Sequence, residues 1–384
     1  MPPRARRLAA AFAAMIAACA TAVSGFTGSA AASPYYVPGS VTSIQLTRNS
    51  ADMKRIAEYW NPARLQKAQD NTPATPEVKP TEGNSSTASA TPTGGGTATT
   101  ASGGKNTTTT TTTAPAKTGL QTVRPSLPTK RAPGTGTFPI TVGKVFFRIG
   151  NADYWCSASS VASAGRNLVA TAGHCAYDPK QGKAAEYWIF IPGYDKGATP
   201  YGIYVGHSIN LHDRFPGWGD YDYDYAFVSV HNGFHWKPGK TAGTYEMESV
   251  GSLEDNVGGQ GLTTRRGVGL LTFAFGYPAS ANVDGTRPYN GQELKRCDDR
   301  TTKRPAPTRL VEYGLAIRCT FTAGASGGPW LVDYDFKNAL GYLNGVNSFT
   351  WDVNTDKKYD LLSSPYFVAS TYTVYQWAST RRAP

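Results

Sequence analysis

The distribution of apolar residues divides the 384-residue chain into stretches of different character. Leu8 to Val23 is an almost unbroken apolar run. From Ala51 to Ala68 apolar side chains recur at helical spacing, which predicts two short amphipathic helices, the first of them capped by Ser50. Beyond residue 134 apolar residues lie in many short runs separated by Gly and Pro, and these runs predict an all-β domain.

Between residues 72 and 133 the chain consists mainly of Thr, Ser, Gly, Pro and Ala, with seven consecutive threonines starting at Thr107. A segment of this composition cannot bury enough apolar surface to fold. We therefore expect a disordered linker between the helical segment and the β domain.

The first 32 residues have the features of a secretory signal peptide. Arginines at positions 4, 6 and 7 precede an apolar run that is too short for a stable membrane span, and Ala30-Ala31-Ala32 supplies small residues for cleavage. These features predict a secreted protein. Ile16-Ala-Ala-Cys19 also resembles a lipobox, so Cys19 is either an incidental cysteine or the lipid-carrying N-terminus of a cell-envelope lipoprotein.

The formal net charge of +11 is concentrated outside the β domain. Residues 34–132 carry a net charge of +6, whereas residues 133–384 carry only +2. Nucleic-acid binding needs a basic surface on the folded part, so we expect no nucleic-acid partner.

Two short motifs supply candidate catalytic chemistry: Thr171-Ala-Gly-His-Cys175 and Phe321-Thr-Ala-Gly-Ala-Ser-Gly-Gly-Pro-Trp330. A serine nucleophile needs an adjacent imidazole, backbone donors for an oxyanion, and a tight glycine-framed turn. Either motif alone is compatible with an ordinary loop. Together they predict that Ser326 is a nucleophile and His174 its base.

The third catalytic residue should be a buried carboxylate that orients the histidine. Asp224 is the preferred candidate because it stands directly before the strand-like run 225–230, where a carboxylate can be packed out of water. Asp222 has the same side-chain parity and remains the alternative.

The order His174, Asp224, Ser326 is that of the chymotrypsin-like proteases. With Cys156-Ser-Ala-Ser-Ser160 and Phe275-Gly-Tyr-Pro278, residues from about 142 to 376 resemble a bacterial secreted trypsin-like (chymotrypsin-fold) serine protease related to the glutamyl endopeptidases. The resemblance implies a double β-barrel with its active site between the barrels and a short C-terminal helix.

Composition and resemblance together predict a domain order. The segments are a signal peptide (1–32), a short helical propeptide-like segment (33–71), the linker (72–133) and a protease domain (134–384), with barrel one at about 138–240 and barrel two at about 255–384. The predicted function is that of a secreted serine endopeptidase acting through an acyl-enzyme. A non-catalytic protease homologue, working as an extracellular binding module, is the alternative.

The expected partners are peptide or protein substrates, and a monomer is expected. No cofactor or metal is predicted, because neither His-Glu-x-x-His nor Cys-x-x-Cys spacing occurs. The remaining histidines are expected in surface or loop positions: His207, His212, His231 and His235.

The resemblance also implies roles for residues around Ser326. The N–H groups of Gly324 and Ser326 would form the oxyanion hole, and substrate would be bound by Thr320, Asn347, Ser348 and Phe349. Thr320 stands where trypsin-like enzymes have Asp, and Asn347 where glutamyl endopeptidases tend to have His, so neither Lys/Arg nor Glu specificity is supported. Ala325 replaces the Asp that pairs with a freed N-terminus in animal zymogens.

Beyond the leader the chain has four cysteines, which allow three pairings. The resemblance implies a Cys156–Cys175 disulfide, and Cys297–Cys319 follows as the remainder. Because Ala325 excludes ion-pair activation, the 51–68 helices are expected to mask the cleft or assist folding, with cleavage at Lys130-Arg131.

Overall fold

The computed structural model describes residues 34–37, 40–68, 119–130 and 138–383, and most of their regular structure is β-strand. The predicted signal peptide with Cys19 and most of the predicted linker lie outside these residues. None of the helices described here is both long and apolar enough to cross a membrane.

In chain order the strands are β1 (Pro34–Val37), β2 (Val41–Gln45), β3 (Thr122–Val123), β4 (Val142–Ile149), β5 (Ala152–Ser160), β6 (Leu168–Thr171), β7 (Tyr177–Asp178), β8 (Lys183–Ala184), β9 (Glu186–Pro192), β10 (Tyr204–His212), β11 (Ala226–Val230), β12 (Gly233–Pro238), β13 (Tyr245–Gly251), β14 (Gly261–Thr263), β15 (Leu271–Gly276), β16 (Lys295–Arg300), β17 (Thr302–Lys303), β18 (Leu315–Arg318), β19 (Pro329–Asp335), β20 (Leu340–Val346), β21 (Thr350–Trp351) and β22 (Leu361–Ser364). The α-helices are α1 (Ser50–Tyr59), α2 (Pro62–Ala68), α3 (Arg214–Trp218), α4 (Leu253–Val257) and α5 (Ala369–Ser379).

Six strands close the first barrel in the order β10-β11-β6-β5-β4-β9, with β9 pairing back to β10. All of these pairings are antiparallel. The barrel closes around fully buried apolar side chains such as Val145, Phe190 and Val228. Closure leaves no free edge within the ring, and β10 is long enough to pair with a further strand outside it.

The second barrel is built from two sheets, ordered β16-β15-β19-β20-β14-β3 and β17-β18-β22-β21. Helix α5 follows the second barrel and packs on β10 and β11 of the first. There the Tyr375 hydroxyl donates to the carbonyl of Ala162 at 2.6 Å. The predicted double barrel and short C-terminal helix are thus confirmed.

The N-terminal segment, residues 40–68, extends the first barrel. Strand β2 pairs antiparallel with β10, and α1 and α2 form the expected hairpin. Trp60 is fully buried and its indole N–H donates to the Tyr187 carbonyl, while Arg64 pairs with Asp153 at 2.9 Å. The predicted cap was wrong by one residue, because Asn49 Oδ1 accepts the Asp52 N–H and Ser50 is already helical.

Part of the predicted linker, which was expected to run to residue 133, has regular contacts in the structure. Residues 119–130 lie against the second barrel, where β3 pairs with β14 and Ser126 bridges to Gly259. Lys130 donates through Nζ to the Val250 carbonyl at 2.6 Å. The expectation of disorder was therefore wrong for this part, because its backbone finds partners in barrel two.

Lys144, in β4, is a polar residue at the centre of an aromatic cluster. Its side chain is fully buried, and Nζ lies 3.8 Å from the ring centroid of Trp155 and 4.3 Å from that of Tyr194. Nζ has no hydrogen-bond partner among the described residues. Burial lowers the pKa of Lys144 to about 7.

This burial predicts a pH-dependent contribution to stability. In the unfolded chain a lysine pKa is about 10.4, so between pH 7 and 10 the unfolded state binds the extra proton and stability rises with pH. The difference in unfolding free energy between the native protein and Lys144→Met should therefore shift in favour of the native protein by about 1 kcal/mol per pH unit. Urea unfolding from pH 7 to 9.5 measures it, and a constant difference would contradict a neutral buried lysine.

Candidate active site

His174 lies in a short 3-10 turn, Gly173–Cys175, that directly follows β6. A disulfide between Cys156 and Cys175 joins this turn to β5, the pairing that the resemblance implies. The turn is thus attached to the first barrel on both sides. The imidazole is consequently held at the end of a buried strand.

Asp224 faces this imidazole from the end of the turn that precedes β11. Its carboxylate contacts His174 Nδ1 at 2.9 Å and 3.1 Å and accepts the His174 backbone N–H at 2.8 Å, while Ser348 Oγ also donates to it. Burial by itself would raise the pKa of Asp224. The charge of His174 and the hydrogen bonds outweigh burial, so the pKa of Asp224 lies below its ordinary value. The arrangement fixes Nδ1 as the donor and leaves Nε2 to accept a proton.

Asp222, the alternative carboxylate, is directed elsewhere. It accepts the backbone N–H groups of Glu312 at 2.8 Å and Tyr313 at 3.1 Å. Asp220 instead pairs with Arg214 at 2.9 Å. Of the three neighbouring aspartates, Asp224 is the one that the structure brings to His174.

The turn around Ser326 depends on two glycines with left-handed backbone. Gly324 has φ 99° and Gly327 has φ 80°, a region that favours glycine. A side chain at Gly327 would collide with Thr171 Oγ1 and with the backbone of Ser157. The serine turn therefore packs directly on the end of β6, three residues before His174.

Two carbonyl groups of the serine turn are bonded to Ser157 of β5. Ser157 N–H donates to the Ser326 carbonyl and Ser157 Oγ to the Gly324 carbonyl, both at 2.8 Å. The N–H groups of Gly324 and Ser326 have no acceptor in the described chain. Sequence reasoning missed Ser157, although it stands in the quoted Cys156–Ser160 motif.

Ser326 Oγ forms no hydrogen bond with any described residue, His174 included, and the residue is 6% exposed. Catalytic hydrogen bonds are often long without substrate and tighten when substrate binds. The ring of Tyr221 lies nearly parallel to that of His174, with centroids 6.4 Å apart. The structure thus places an unbonded hydroxyl and a carboxylate-oriented imidazole on adjoining turns.

Asn347 does not present its side chain to a substrate, which corrects the role suggested by the resemblance. Its Nδ2 donates to the carbonyls of Phe275 at 2.8 Å and Ala325 at 2.7 Å, and Oδ1 accepts the Trp330 indole N–H at 2.7 Å. The residue is fully buried. Its polar groups are consumed in bracing the serine turn against β15 and β19.

The other three predicted substrate-binding residues are placed differently from one another. Ser348 is buried and its hydroxyl donates to the carboxylate of Asp224, so it helps to hold that carboxylate beside His174. Phe349 is buried beside Tyr221, with ring centroids 6.0 Å apart. Thr320 is exposed, and its hydroxyl contacts the Tyr289 hydroxyl at 2.7 Å. Thr320 is therefore the one of the three that is open to solvent.

The second disulfide, Cys297–Cys319, ends immediately before Thr320. Among the described residues, the ligand atoms of Cys156, His174 and Cys175 lie close enough together for a metal ion. Both of these cysteines are disulfide-bonded, so they offer no thiolate to a metal.

The expectation of surface or loop positions was wrong for His212, which lies in strand β10, whereas His231 lies in the loop between β11 and β12. His212 and His231 are buried in the first barrel. His231 Nε2 contacts Thr47 Oγ1 at 2.7 Å, and the ring of His212 stacks on Tyr223. Burial lowers the pKa of each of them to about 4, so both are neutral at pH 7.

Comparison of the sequence with protein-family models finds no match, and comparison with curated proteins also finds none. Among solved structures, the chain is similar to AL20, a thermostable serine protease from an extremophilic microorganism. The identity is 31%, the TM-score is 0.51, and the match covers 63% of this chain and 98% of AL20. The protease Anisep from Arthrobacter nicotinovorans is similar at 30% identity and TM-score 0.51, over 64% of this chain and 99% of Anisep. A Glu endopeptidase in complex with MPD matches at 15% identity and TM-score 0.43, over 62% of this chain and 90% of its own.

Proposed function

Since the chain belongs to the chymotrypsin-fold serine proteases, we propose that it is a secreted endopeptidase that cleaves peptide bonds through a His174-Asp224-Ser326 triad. The observation that carries this proposal is the carboxylate of Asp224, which is fully buried and bonded to His174 Nδ1 at 2.9 Å. Burying a charge of this kind is costly unless a well-placed partner and hydrogen bonds stabilise it. His174 is the partner that can become a cation during proton transfer.

In the proposed reaction His174 Nε2 takes the proton of Ser326 Oγ as the oxygen attacks the peptide carbonyl. Asp224 holds the imidazole in the required tautomer and stabilises the imidazolium. The N–H groups of Gly324 and Ser326 bind the oxyanion. The imidazolium then protonates the leaving amine, and a water activated by the same imidazole releases the acyl-enzyme.

Incubation with a mixture of unmodified peptides, followed by mass spectrometry of the products, tests the endopeptidase proposal. Internal cleavage is expected, and the residues before the cleaved bonds would define the specificity to which Thr320 and Phe349 contribute. A folded protein that cleaves no peptide but binds some of them would favour the alternative, a non-catalytic extracellular binding module.

Secretion is part of the proposal and is supported by two observations. The two disulfides need an oxidising compartment, and the first 32 residues have signal-peptide features. Mass spectrometry of the mature protein from its native host would identify the N-terminus. A lipid-modified Cys19 would show cell-envelope attachment instead of release.

The buried amide of Asn347 predicts a specific effect on turnover. Asn347→Leu removes two donors to carbonyl groups, one of which belongs to the serine turn. We expect kcat to fall about 100-fold, comparable to the loss of one oxyanion donor, with KM changed less than about threefold. Steady-state kinetics on one peptide substrate separates the two constants.

Asn344→Leu is the matched control for Asn347→Leu. Asn344 is also buried in β20, but its amide donates to the Thr263 carbonyl, away from the serine turn. Both variants remove hydrogen bonds to buried carbonyl groups, although the Ala325 carbonyl keeps the Gly328 N–H at 3.1 Å, and each variant should lose about 1–3 kcal/mol of stability. Equal losses of kcat in the two variants would show that Asn347 affects turnover only through the stability of the fold.

We further propose that residues 40–68 assist folding and do not mask the cleft. These residues pack against β9, β10 and β5 of the first barrel. Ile44, Ile56 and Trp60 are buried. Burying each such side chain contributes about 1.5–3 kcal/mol. Cleavage at Lys130-Arg131 would leave β2 and β3 paired with their barrels.

The test compares Ser33–Pro384 with Ala132–Pro384, which lacks both docked segments. The shorter protein should refold in lower yield and melt at a lower temperature, because β10 and β14 lose their outer partners. Equal refolding yield and melting temperature would show that the segment is only a tether. Activity that appears only after removal of the segment would support masking of the cleft.

A further inference from the structure

Lys144 in β4 lies directly across from Ser157 in β5, the residue whose side chain holds the Gly324 carbonyl of the serine turn. Opposite residues of an antiparallel pair project to the same face of the sheet, so the Lys144 side chain lies on the same side as that of Ser157. Trp155, two residues before Ser157 in the same strand, projects to that face as well. The buried lysine therefore stands beside the strand segment that supports the proposed oxyanion turn. The proposed mechanism gives it no part.

The ring of Trp155 connects Lys144 to the serine turn. Lys144 Nζ lies over the ring, 3.8 Å from its centroid. The edge of the same ring lies against Gly324, because a Cβ built on that glycine would be only 2.5 Å from Cη2 and 2.8 Å from Cζ3. Contacts this close leave Gly324 no room to move towards the ring. The orientation of the Gly324 peptide therefore depends on where the ring stands.

Tyr277 also links the serine turn to the lysine. Its carbonyl oxygen would be 2.6 Å from the same Cβ on Gly324, and its N–H donates to Ser157 Oγ at 2.9 Å. Its ring faces the lysine amine, with the centroid 5.6 Å from Nζ. The two residues that pack on Gly324, Trp155 and Tyr277, thus both contribute rings to the cluster around Lys144.

Packing, and not hydrogen bonding, holds the Trp155 ring in place. Within the described chain the indole Nε1 has no hydrogen-bond partner, and Lys144 Nζ has none either. Burying an amine without a hydrogen bond is costly. The amine can still interact with the face of the ring, through its N–H groups when neutral and as a cation when protonated. The lysine on the face and Gly324 at the edge together define the position of the ring.

We propose that Lys144 is a positioning residue for the oxyanion-binding turn. Its amine holds the Trp155 ring against Gly324 and so fixes the direction of the Gly324 N–H. An oxyanion donor stabilises the transition state only when it is correctly placed before the charge develops. A shifted ring therefore lowers kcat and leaves substrate binding nearly unchanged. The inference rests on the proposed function, because it assigns Lys144 to the same reaction.

Steady-state kinetics of the full chain on one peptide substrate compares Lys144→Met with the parent protein. Methionine is also a long unbranched side chain, but it has no N–H group to place on the ring. We expect kcat to fall about tenfold, with KM changed less than about threefold. The inhibition constant of a peptide aldehyde should also rise about tenfold, because its tetrahedral adduct with Ser326 needs the same N–H groups.

Trp155→Phe and the double variant test whether Lys144 acts through the ring. The smaller ring of phenylalanine does not reach as far towards Gly324, so Trp155→Phe should show a similar loss of kcat. Lys144→Met should then cause little further loss in the Trp155→Phe protein, whereas independent effects would multiply. Multiplied losses would overturn the inference, and so would an unchanged kcat in Lys144→Met.

Val228→Ala is the matched control for a general loss of stability. Val228 is fully buried in β11 of the first barrel, opposite Val169, and the shorter side chain leaves a cavity there. It should lower the melting temperature and leave kcat and aldehyde inhibition nearly unchanged. An equal fall of kcat in Val228→Ala would show that turnover follows stability, against the role proposed for Lys144. A folded parent protein that hydrolyses no peptide would overturn the proposed function, and this inference with it.

Discussion

Ser326→Ala should abolish peptide hydrolysis, with kcat reduced by about 10⁶-fold, while the protein melts at nearly the same temperature. The hydroxyl has no hydrogen bond in the described chain, so its removal breaks no stabilising contact. The turn itself is held through backbone groups, including the Ser326 carbonyl that accepts the Ser157 N–H. Peptide cleavage and thermal unfolding of the same preparation measure both effects.

A residual rate above about 1% of the parent value would contradict a nucleophilic Ser326, because a triad lacking its nucleophile keeps only a small fraction of its rate. A large fall in melting temperature would show a structural role that the hydrogen-bond pattern does not predict. The first of these results would require a different assignment of the nucleophile.

Asp224→Asn should lower kcat by about 10⁴-fold with the fold retained. The carboxylate of Asp224 accepts hydrogen bonds from His174 Nδ1, the His174 backbone N–H and the Ser348 hydroxyl through its two oxygens. An amide has only one oxygen, so it cannot accept all three. It favours the tautomer that carries the proton on Nε2, which cannot take the proton of Ser326. Steady-state kinetics and melting temperature should be measured together.

Asp222→Asn is the matched control for Asp224→Asn, since it lies two residues away and is also an acceptor of backbone N–H groups. It should remain active, with its main effect on stability through the contact with residues 312 and 313. An inactive Asp222→Asn beside a fully active Asp224→Asn would show that Asp222, and not Asp224, is the carboxylate that orients His174.

The parts of the candidate site that the sequence could predict are those encoded locally. The glycine-framed turn at Ser326 and the Gly-His-Cys turn at His174 each carry their own conformational requirements, and Asp224 was chosen because it precedes a buried strand. These features depend on neighbours within a few residues. The double barrel followed from the resemblance that these residues carry.

Features that depend on distant partners were missed. Strand β2 pairs with β10, which lies more than 160 residues away in the sequence, and no local pattern predicts that pairing. Lys144 lies in a mostly apolar strand, and most of the aromatic rings around its Nζ come from other segments of the chain: Trp155, Tyr194 and Tyr277. Asn347 was placed by resemblance in a substrate pocket, but the direction of its side chain follows from its position at the end of β20, opposite Gly328.

Labelling with a fluorophosphonate probe, read by intact mass and peptide mapping, tests the central claim most directly. Such a probe reacts with a serine only when a base and an oxyanion hole activate it. The account predicts one adduct per chain, located on Ser326, in the parent protein and none in Ser326→Ala. A folded parent protein that gains no adduct, or an adduct that persists in Ser326→Ala, would contradict it.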